Sequence, residues 1–324
     1  MSMTELTEIT VIGGDKTGLI ARVTTLLFER GINIEDLDQA VRDGLFRMSM
    51  RVDTAEMTCE RDELRSALVE LGRELGVEIQ IRFPSDRDTQ RIAVCVTKES
   101  HCLEALIAAA SDDGELDVEI SAVISNRGDL RDLVEPTDIP YYDIGDGNGS
   151  PDEDRMLDIL AEHDVDLIVL ARYMRILGPK IVFRYEDRII NIHPSLLPSF
   201  PGAAAYRQAK EEGVRVGGVT AHYVTTDLDQ GPIITQRAFN IPDDALMDEI
   251  KTRGQPLEAE ALIEAVELHL DDAVSVHRGR TSLRDTADPE EYQLGLSEAA
   301  QEANPTDPVD DEVGDTETPS VADD

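Results

Sequence analysis

A chain of 324 residues with an apolar share of 41% is long enough for about two domains, each with a buried core. Its formal net charge of −38 opposes the phosphates of nucleic acid and the anionic surfaces of membranes, so neither is expected as a partner. No run approaches the roughly 18 apolar residues of a membrane span, the opening MSMTELTEIT lacks the regions of a signal peptide, and Cys59, Cys95 and Cys102 form no CxxC pair. A cytoplasmic protein without a disulfide framework or zinc ribbon is therefore expected. The acidic excess is paired with few lysines (Lys16, Lys98, Lys180, Lys210 and Lys251) and many arginines. That reads as halophilic adaptation, because molar salt shortens the Debye length to about 3 Å and removes self-repulsion.

In chain order, TEITVIGG alternates as a strand that ends at Gly13-Gly14. Leu19, Ile20, Val23, Leu26 and Leu27 then recur at helical spacing between Thr17 and Arg30, and Gly31 stops the helix. Ile32–Val41 and Leu45–Asp53 read as strands joined by an Arg42-Asp43-Gly44 hairpin. Cys59–Leu75 is a second amphipathic helix, stopped by Gly76, and Val77–Phe83 a last strand. The order β-α-β-β-α-β over residues 1–83 predicts a ferredoxin-like domain. Polar residues 84–90 read as a linker.

The rhythm then changes. Arg91–Thr97, Val118–Ser125, Ile139–Asp143, Val165–Ala171 and Ile189–Ile192 read as strands. Helical stretches at Leu103–Ala110, Asp152–His163 and within Ile176–Tyr185 separate them. The alternation predicts an α/β fold with a doubly wound, mostly parallel sheet over residues 91–282, whose ligands gather at the carboxyl ends of the strands. From about Thr281 acidic residues and proline dominate, and residues 283–324 are expected to be a disordered tail that cannot repay its ordering entropy.

Chemistry concentrates in two stretches. Asn191 and His193 lie two apart on an extended segment and so share one face. Pro194 and Pro198 stiffen the chain that follows. Gly218–Ile234 is a strand running into the acidic, Gly-Pro-closed loop Thr226-Asp227-Leu228-Asp229-Gln230-Gly231-Pro232. Singly, each of these residues has a plain structural explanation: a core histidine, an Asx turn, a solvated aspartate. The combination points to a site. The spacing of the histidines and cysteines suggests no metal ligand set.

These segments resemble the formyltetrahydrofolate-utilising enzymes, and within them most closely the formyltetrahydrofolate deformylases. The resemblance is carried by NIHPSLLPSFPGAAAY (191–206), HYVTTDLDQGPIITQ (222–236), LARYMRIL (170–177), RIAVCVTKESHCLEAL (91–106) and DVEISAVISN (117–126). DKTGLIARVTTLLFERGINIEDLDQ (15–39) resembles an ACT regulatory domain. The resemblance implies hydrolysis of 10-formyltetrahydrofolate to formate and tetrahydrofolate, in one-carbon and purine metabolism, with folate as substrate and no cofactor. It implies that Asn191 donates to the formyl oxygen, that His193 exchanges protons, and that Asp229 pairs with His193 and positions the attacking water. His222 would support them. The pterin would lie against Met174, Arg175, Ile176 and Leu177 and the loop Thr226, Asp227 and Leu228.

The competing reading is glycinamide ribonucleotide transformylase, which resembles the same fold but passes the formyl group to an amine. Its phosphate loop is glycine-rich, whereas Thr97-Lys98-Glu99-Ser100-His101-Cys102 has no glycine and carries Glu99. Pro194, Pro201 and Gly202 resemble the transformylase instead. A methionyl-tRNA formyltransferase would need a basic tRNA-binding domain, which is not evident. A reading of another class is an amino-acid sensor on an inactive enzyme scaffold. ACT resemblance implies glycine or methionine as effector, held near Asp15, Gly18 and Asn33 across a dimer interface, and a homo-oligomer.

Overall fold

The computed structural model describes residues 6–42, 44–83, 89–111 and 114–284. Hairpin residue Asp43, linker residues 84–88 and residues 285–324 of the acidic tail lie outside the described residues.

The N-terminal unit runs β1 (Thr7–Gly14), α1 (Leu19–Phe28), β2 (Asn33–Arg42), β3 (Leu45–Asp53), α2 (Arg61–Leu75) and β4 (Val77–Arg82). Its strands form an antiparallel sheet in the order β2-β3-β1-β4, the ferredoxin-like topology that the sequence predicts. One face is apolar because alternate strand residues point the same way. Ile9, Val11, Met48 and Met50 pack there against Leu19, Val23 and Leu27 of α1 and Leu64 and Leu68 of α2. Each such side chain contributes about 1.5–3 kcal/mol by leaving water. Gly76 ends α2 in the left-handed region, φ 63°, a conformation that glycine adopts without steric penalty.

The second unit continues with β5 (Gln90–Val96), α3 (His101–Ala109), β6 (Val118–Ser125), α4 (Arg131–Val134), β7 (Tyr141–Asp143), α5 (Glu153–Glu162), β8 (Leu167–Leu170), α6 (Pro179–Arg184) and β9 (Ile189–His193). It closes with α7 (Ala205–Glu211), β10 (Val216–Tyr223), β11 (Ile233–Asn240), α8 (Met247–Leu270) and the hairpin of β12 (Val274–His277) and β13 (Arg280–Leu283). The seven-stranded sheet is ordered β11-β10-β9-β8-β5-β6-β7. Strands β5 to β9 are parallel, and β10 and β11 add antiparallel pairings. Both faces are covered, which is why β5 reads as a continuous apolar run. Ile92, Val94 and Val96 face α3 and α8, while Ala93 and Cys95 face α5 and α6.

Two features depart from the sequence reading. Leu283, assigned to the tail, completes β13 opposite Val274, and the next backbone N–H, of Arg284, donates to Ala273 O at 2.9 Å. Long helix α8 was not foreseen either, since Pro256 lies within it and Glu258 and Glu264 sit on its buried faces.

Charged side chains join the two units. Arg47 of β3 meets Glu186 at 2.5 Å, Arg82 of β4 meets Asp166 at 3.3 Å and donates to Val165 O at 3.1 Å, and Arg184 of α6 pairs with Glu78. Arg42, at the end of β2, donates to Thr226 Oγ1. Among the described residues no helix is long and apolar enough to cross a membrane.

Candidate active site

Strand β9 alternates as its sequence requires. Ile190 and Ile192 enter the core beside α8, and Asn191 and His193 take the other face. Neighbour β10 runs antiparallel and pairs His222 with Asn191. Asn191 Nδ2 lies 3.1 Å from His222 Nε2, and His222 Nδ1 lies 2.8 Å from Tyr223 O. A carbonyl can only accept, so Nδ1 carries the proton and Nε2 accepts from the Asn191 amide. Burial pushes the His222 imidazole below its ordinary range, and His193 beside it adds to the effect. A neutral His222 thus holds one amide hydrogen of Asn191 and leaves the other for a ligand oxygen.

His193 is 4% exposed. Its Nε2 lies 3.0 Å from Phe200 O, and its Nδ1 lies 3.4 Å from Asp229 Oδ2. A ring with an acceptor at each nitrogen satisfies both when both carry protons. Asp229 also accepts from the Gly202 N–H at 2.7 Å and stands 3.8 Å from His222 Nε2. The chain between His193 and Gly202 is fixed by Thr220, which donates to Ser195 O at 2.6 Å and accepts from Leu197 N at 3.0 Å.

The expectation that the site residues collect at carboxyl ends of strands holds for His193, which ends β9, and for the loop of Met174, Arg175, Ile176 and Leu177, which follows β8. The Asp229 loop follows the carboxyl end of β10, which lies at the opposite edge of the sheet. Because β10 is antiparallel, that loop leaves the sheet at the level of Ile189 and Ile190 and doubles back to reach His193. The return is tight at Gly231, where a Cβ would stand 1.8 Å from Tyr223 O. Asp229 itself adopts φ 53°.

Met174 and Ile176 are not core residues: they are 52% and 70% exposed, and Leu228 is 47% exposed. Arg175, Thr226 and Asp227 are also exposed, whereas Leu177 is buried. Exposed apolar side chains on a structured loop suit a flat ligand. That loop is pinned, since Met174 N donates to Thr97 Oγ1 at 2.9 Å and Arg175 Nε donates to Gly149 O at 2.6 Å. Together the residues offer an amide donor, an imidazole and a carboxylate around one point, the set that an oxyanion and a proton transfer require.

A family model described as formyl transferase matches residues 90–266, and one described as ACT domain matches residues 7–82. The formyltetrahydrofolate deformylase of Bacillus subtilis is 38% identical over 82% of this chain and 90% of its own. That of Escherichia coli K12 is 38% identical over 82% and 94%. The chain belongs to the formyltetrahydrofolate deformylase family. A crystal structure of a deformylase from Pseudomonas syringae superposes with a TM-score of 0.59 at 32% identity, over 86% of this chain and 94% of that one. A phosphoribosylglycinamide formyltransferase from Anaplasma phagocytophilum has a TM-score of 0.58 at 33% identity, but covers only 65% of this chain. The deformylases therefore account for more of the chain than the transferase does.

A buried charged cluster that sequence reasoning missed joins α8 to the segments that follow β5 and β8. Glu258 of α8 is fully buried, and it meets His101 Nε2 at 3.1 Å, Arg172 Nε at 3.2 Å and the Tyr206 hydroxyl at 2.7 Å. Arg172 Nε also meets Glu99 at 2.8 Å. Burial raises the affinity of Glu258 for a proton, yet the His101 hydrogen bond and the Arg172 charge outweigh it and hold the carboxyl below its usual range. The fold also brings donor atoms of His101, Cys102 and Glu258 within 4.8 Å of one another, a convergence that their sequence spacing did not suggest. Thr97, His101 and Arg172 lie in segments whose resemblance was legible, but nothing in the local pattern marked Glu258.

In the ACT unit, Asp15, Gly18 and Asn33 are exposed. Gly18 precedes α1 and Asn33 follows it beyond the turn that ends the ten-residue helix, so the helix separates them within one chain. Asp15 N donates to Gly44 O at 3.1 Å, and the Asn33 amide donates to Glu35 at 2.5 Å.

Proposed function

We propose that this deformylase-family chain hydrolyses 10-formyltetrahydrofolate at the Asn191, His193 and Asp229 site, releasing formate and tetrahydrofolate. The observation that carries the reading is the convergence of His193 and the Gly202 N–H on the Asp229 carboxylate, next to the Asn191 amide that His222 holds. In the proposed course, water adds to the formyl carbon while Asp229 takes its proton. The second Asn191 N–H meets the oxygen as it becomes an oxyanion. Protonated His193 then gives its Nδ1 proton to the departing folate nitrogen as the C–N bond breaks, its Nε2–H staying on the Phe200 carbonyl, and Asp229 returns the water's proton to Nδ1. The 3.4 Å separation shortens in the loaded site, as catalytic hydrogen bonds commonly do. The pterin lies against Met174, Ile176 and Leu228, with backbone groups of the Arg175–Leu177 and Thr226–Asp229 loops at its polar edge. No step draws on a metal or cofactor.

Formate release from 10-formyltetrahydrofolate without any nucleotide is the test. Asp229→Asn should lower kcat by roughly 10²–10⁴ with an unchanged fold. Activity in that variant equal to wild type would remove Asp229 from the mechanism. The alternative, transfer to glycinamide ribonucleotide, draws on Pro194 and Pro201, and it would require the nucleotide and yield no free formate. Glycine and methionine, the proposed effectors, belong in the same assay. A response to either would support an ACT site shared across a dimer, for which the separation of Gly18 and Asn33 by α1 argues.

A further inference from the structure

The order of the sheet makes β5 the strand where the chain reverses direction of growth: β6 and β7 lie to one side of it and β8 and β9 to the other. In such sheets the crevice outside the carboxyl ends of the two strands at the reversal collects ligands. The turn from β5 into α3 is also the position where helix N–H groups favour an anion. Here the crevice lies between Thr97–Ser100 and Ala171–Leu177, next to Asn191, which pairs with Leu170 of β8. Protein charge fills it. Arg172, held at φ 63°, turns its guanidinium inwards, and a single Nε meets Glu99 on the outer side and Glu258 on the inner. Glu99 is 35% exposed and Glu258 is fully buried.

We propose that Glu99 and Glu258 determine acceptor specificity: they occupy Arg172 from both sides, deny an anionic second substrate its cationic partner in this crevice, and leave water as the acceptor. The proposal deepens the hydrolytic reading and rests on it. A metal at His101, Cys102 and Glu258 is the competing use of the cluster, but the same Glu258 oxygen that meets His101 also meets Arg172, so a cation already stands there. Glu99 is the residue to change. Its truncation opens the outer seat, while Arg172 keeps Glu258 and the buried part of the cluster stays paired.

The experiment compares full-length wild type, Glu99→Ala and Glu99→Asp with inorganic phosphate as the probe at constant ionic strength. Phosphate binding is followed by calorimetric titration and formate release by assay. Glu99→Ala should bind phosphate, and be inhibited by it, about tenfold or more tightly than wild type, the size of one charge-assisted hydrogen bond. Glu99→Asp, which restores the carboxylate, should stay as insensitive as wild type. Equal phosphate affinity in Glu99→Ala and wild type overturns the proposal, and so does a wild type that already binds phosphate in this crevice. The titration reads out without turnover. A wild type that releases no formate would therefore refute hydrolysis, and the phosphate comparison would still decide the role of Glu99.

Discussion

Asn191 owes its orientation to a neighbour. An amide that donates to neutral His222 has its remaining N–H fixed in direction, whereas a free amide would sample both flips. The two residues should therefore behave as one unit. Asn191→Ala removes an oxyanion donor and should lower kcat by roughly 10²–10³. His222→Leu keeps the amide but frees it, and should cost about tenfold. The double variant should be no slower than Asn191→Ala alone, because His222 acts through Asn191. Multiplicative losses in kcat would show that His222 has a task of its own. Both residues were legible in the sequence, since strand periodicity puts Asn191 and His193 on one face. Their pairing was not, because it depends on the register between β9 and β10.

At the scale of elements, the Asp229 loop works by returning over the strand it came from. Gly231 permits that return, with its Cα against the Tyr223 carbonyl and the Tyr223 N–H donating to Pro232 O at 2.9 Å. Gly231→Ala would force a Cβ into backbone, so the loop must move and carry Asp229 away from His193. We expect a loss of about 1–3 kcal/mol in stability together with a fall in kcat, while folate binding through the Met174–Leu177 loop persists. A Gly231→Ala enzyme with normal kcat would mean that the loop has slack. The same scale explains what the sequence concealed. The ACT unit and the parallel strands carry local periodicities and were legible almost to their ends. Helix α8 was not, because its proline and buried glutamates mask an amphipathic pattern. Glu258 gains its meaning only from His101, Arg172 and Tyr206, which are distant in sequence. Similarly, β13 lies at the margin of an acidic stretch, and only its pairing with β12 sets it apart from the tail.

For the molecule as a whole, the boundary between its two units carries a titratable group. His269, at the end of α8, has its Nδ1 2.9 Å from the Tyr223 hydroxyl, and burial pushes its imidazole down to about 4 from an ordinary 6.5. The charges that act on it come from both units: Glu8 and Arg82 of the ACT sheet, and Asp166 and Arg188 of the catalytic domain. Between those two values the unfolded chain binds a proton that the folded chain refuses. Stability from this residue is thus complete above about pH 6.5 and is lost as pH falls towards 4, by at most ~3 kcal/mol. The net charge of −38 works the other way, because protonating surface carboxylates relieves repulsion as pH falls. A single pH profile would mix the two effects, so the comparison must be with His269→Gln, whose uncharged amide can still bond the Tyr223 hydroxyl. Urea midpoints near pH 5 and near pH 7.5 at fixed salt should show wild type losing more stability on acidification than the variant. The difference should vanish above pH 7. Parallel profiles for the two proteins would mean that His269 takes up its proton in the folded state as readily as in the unfolded chain, and that the junction of the two units is open to water there.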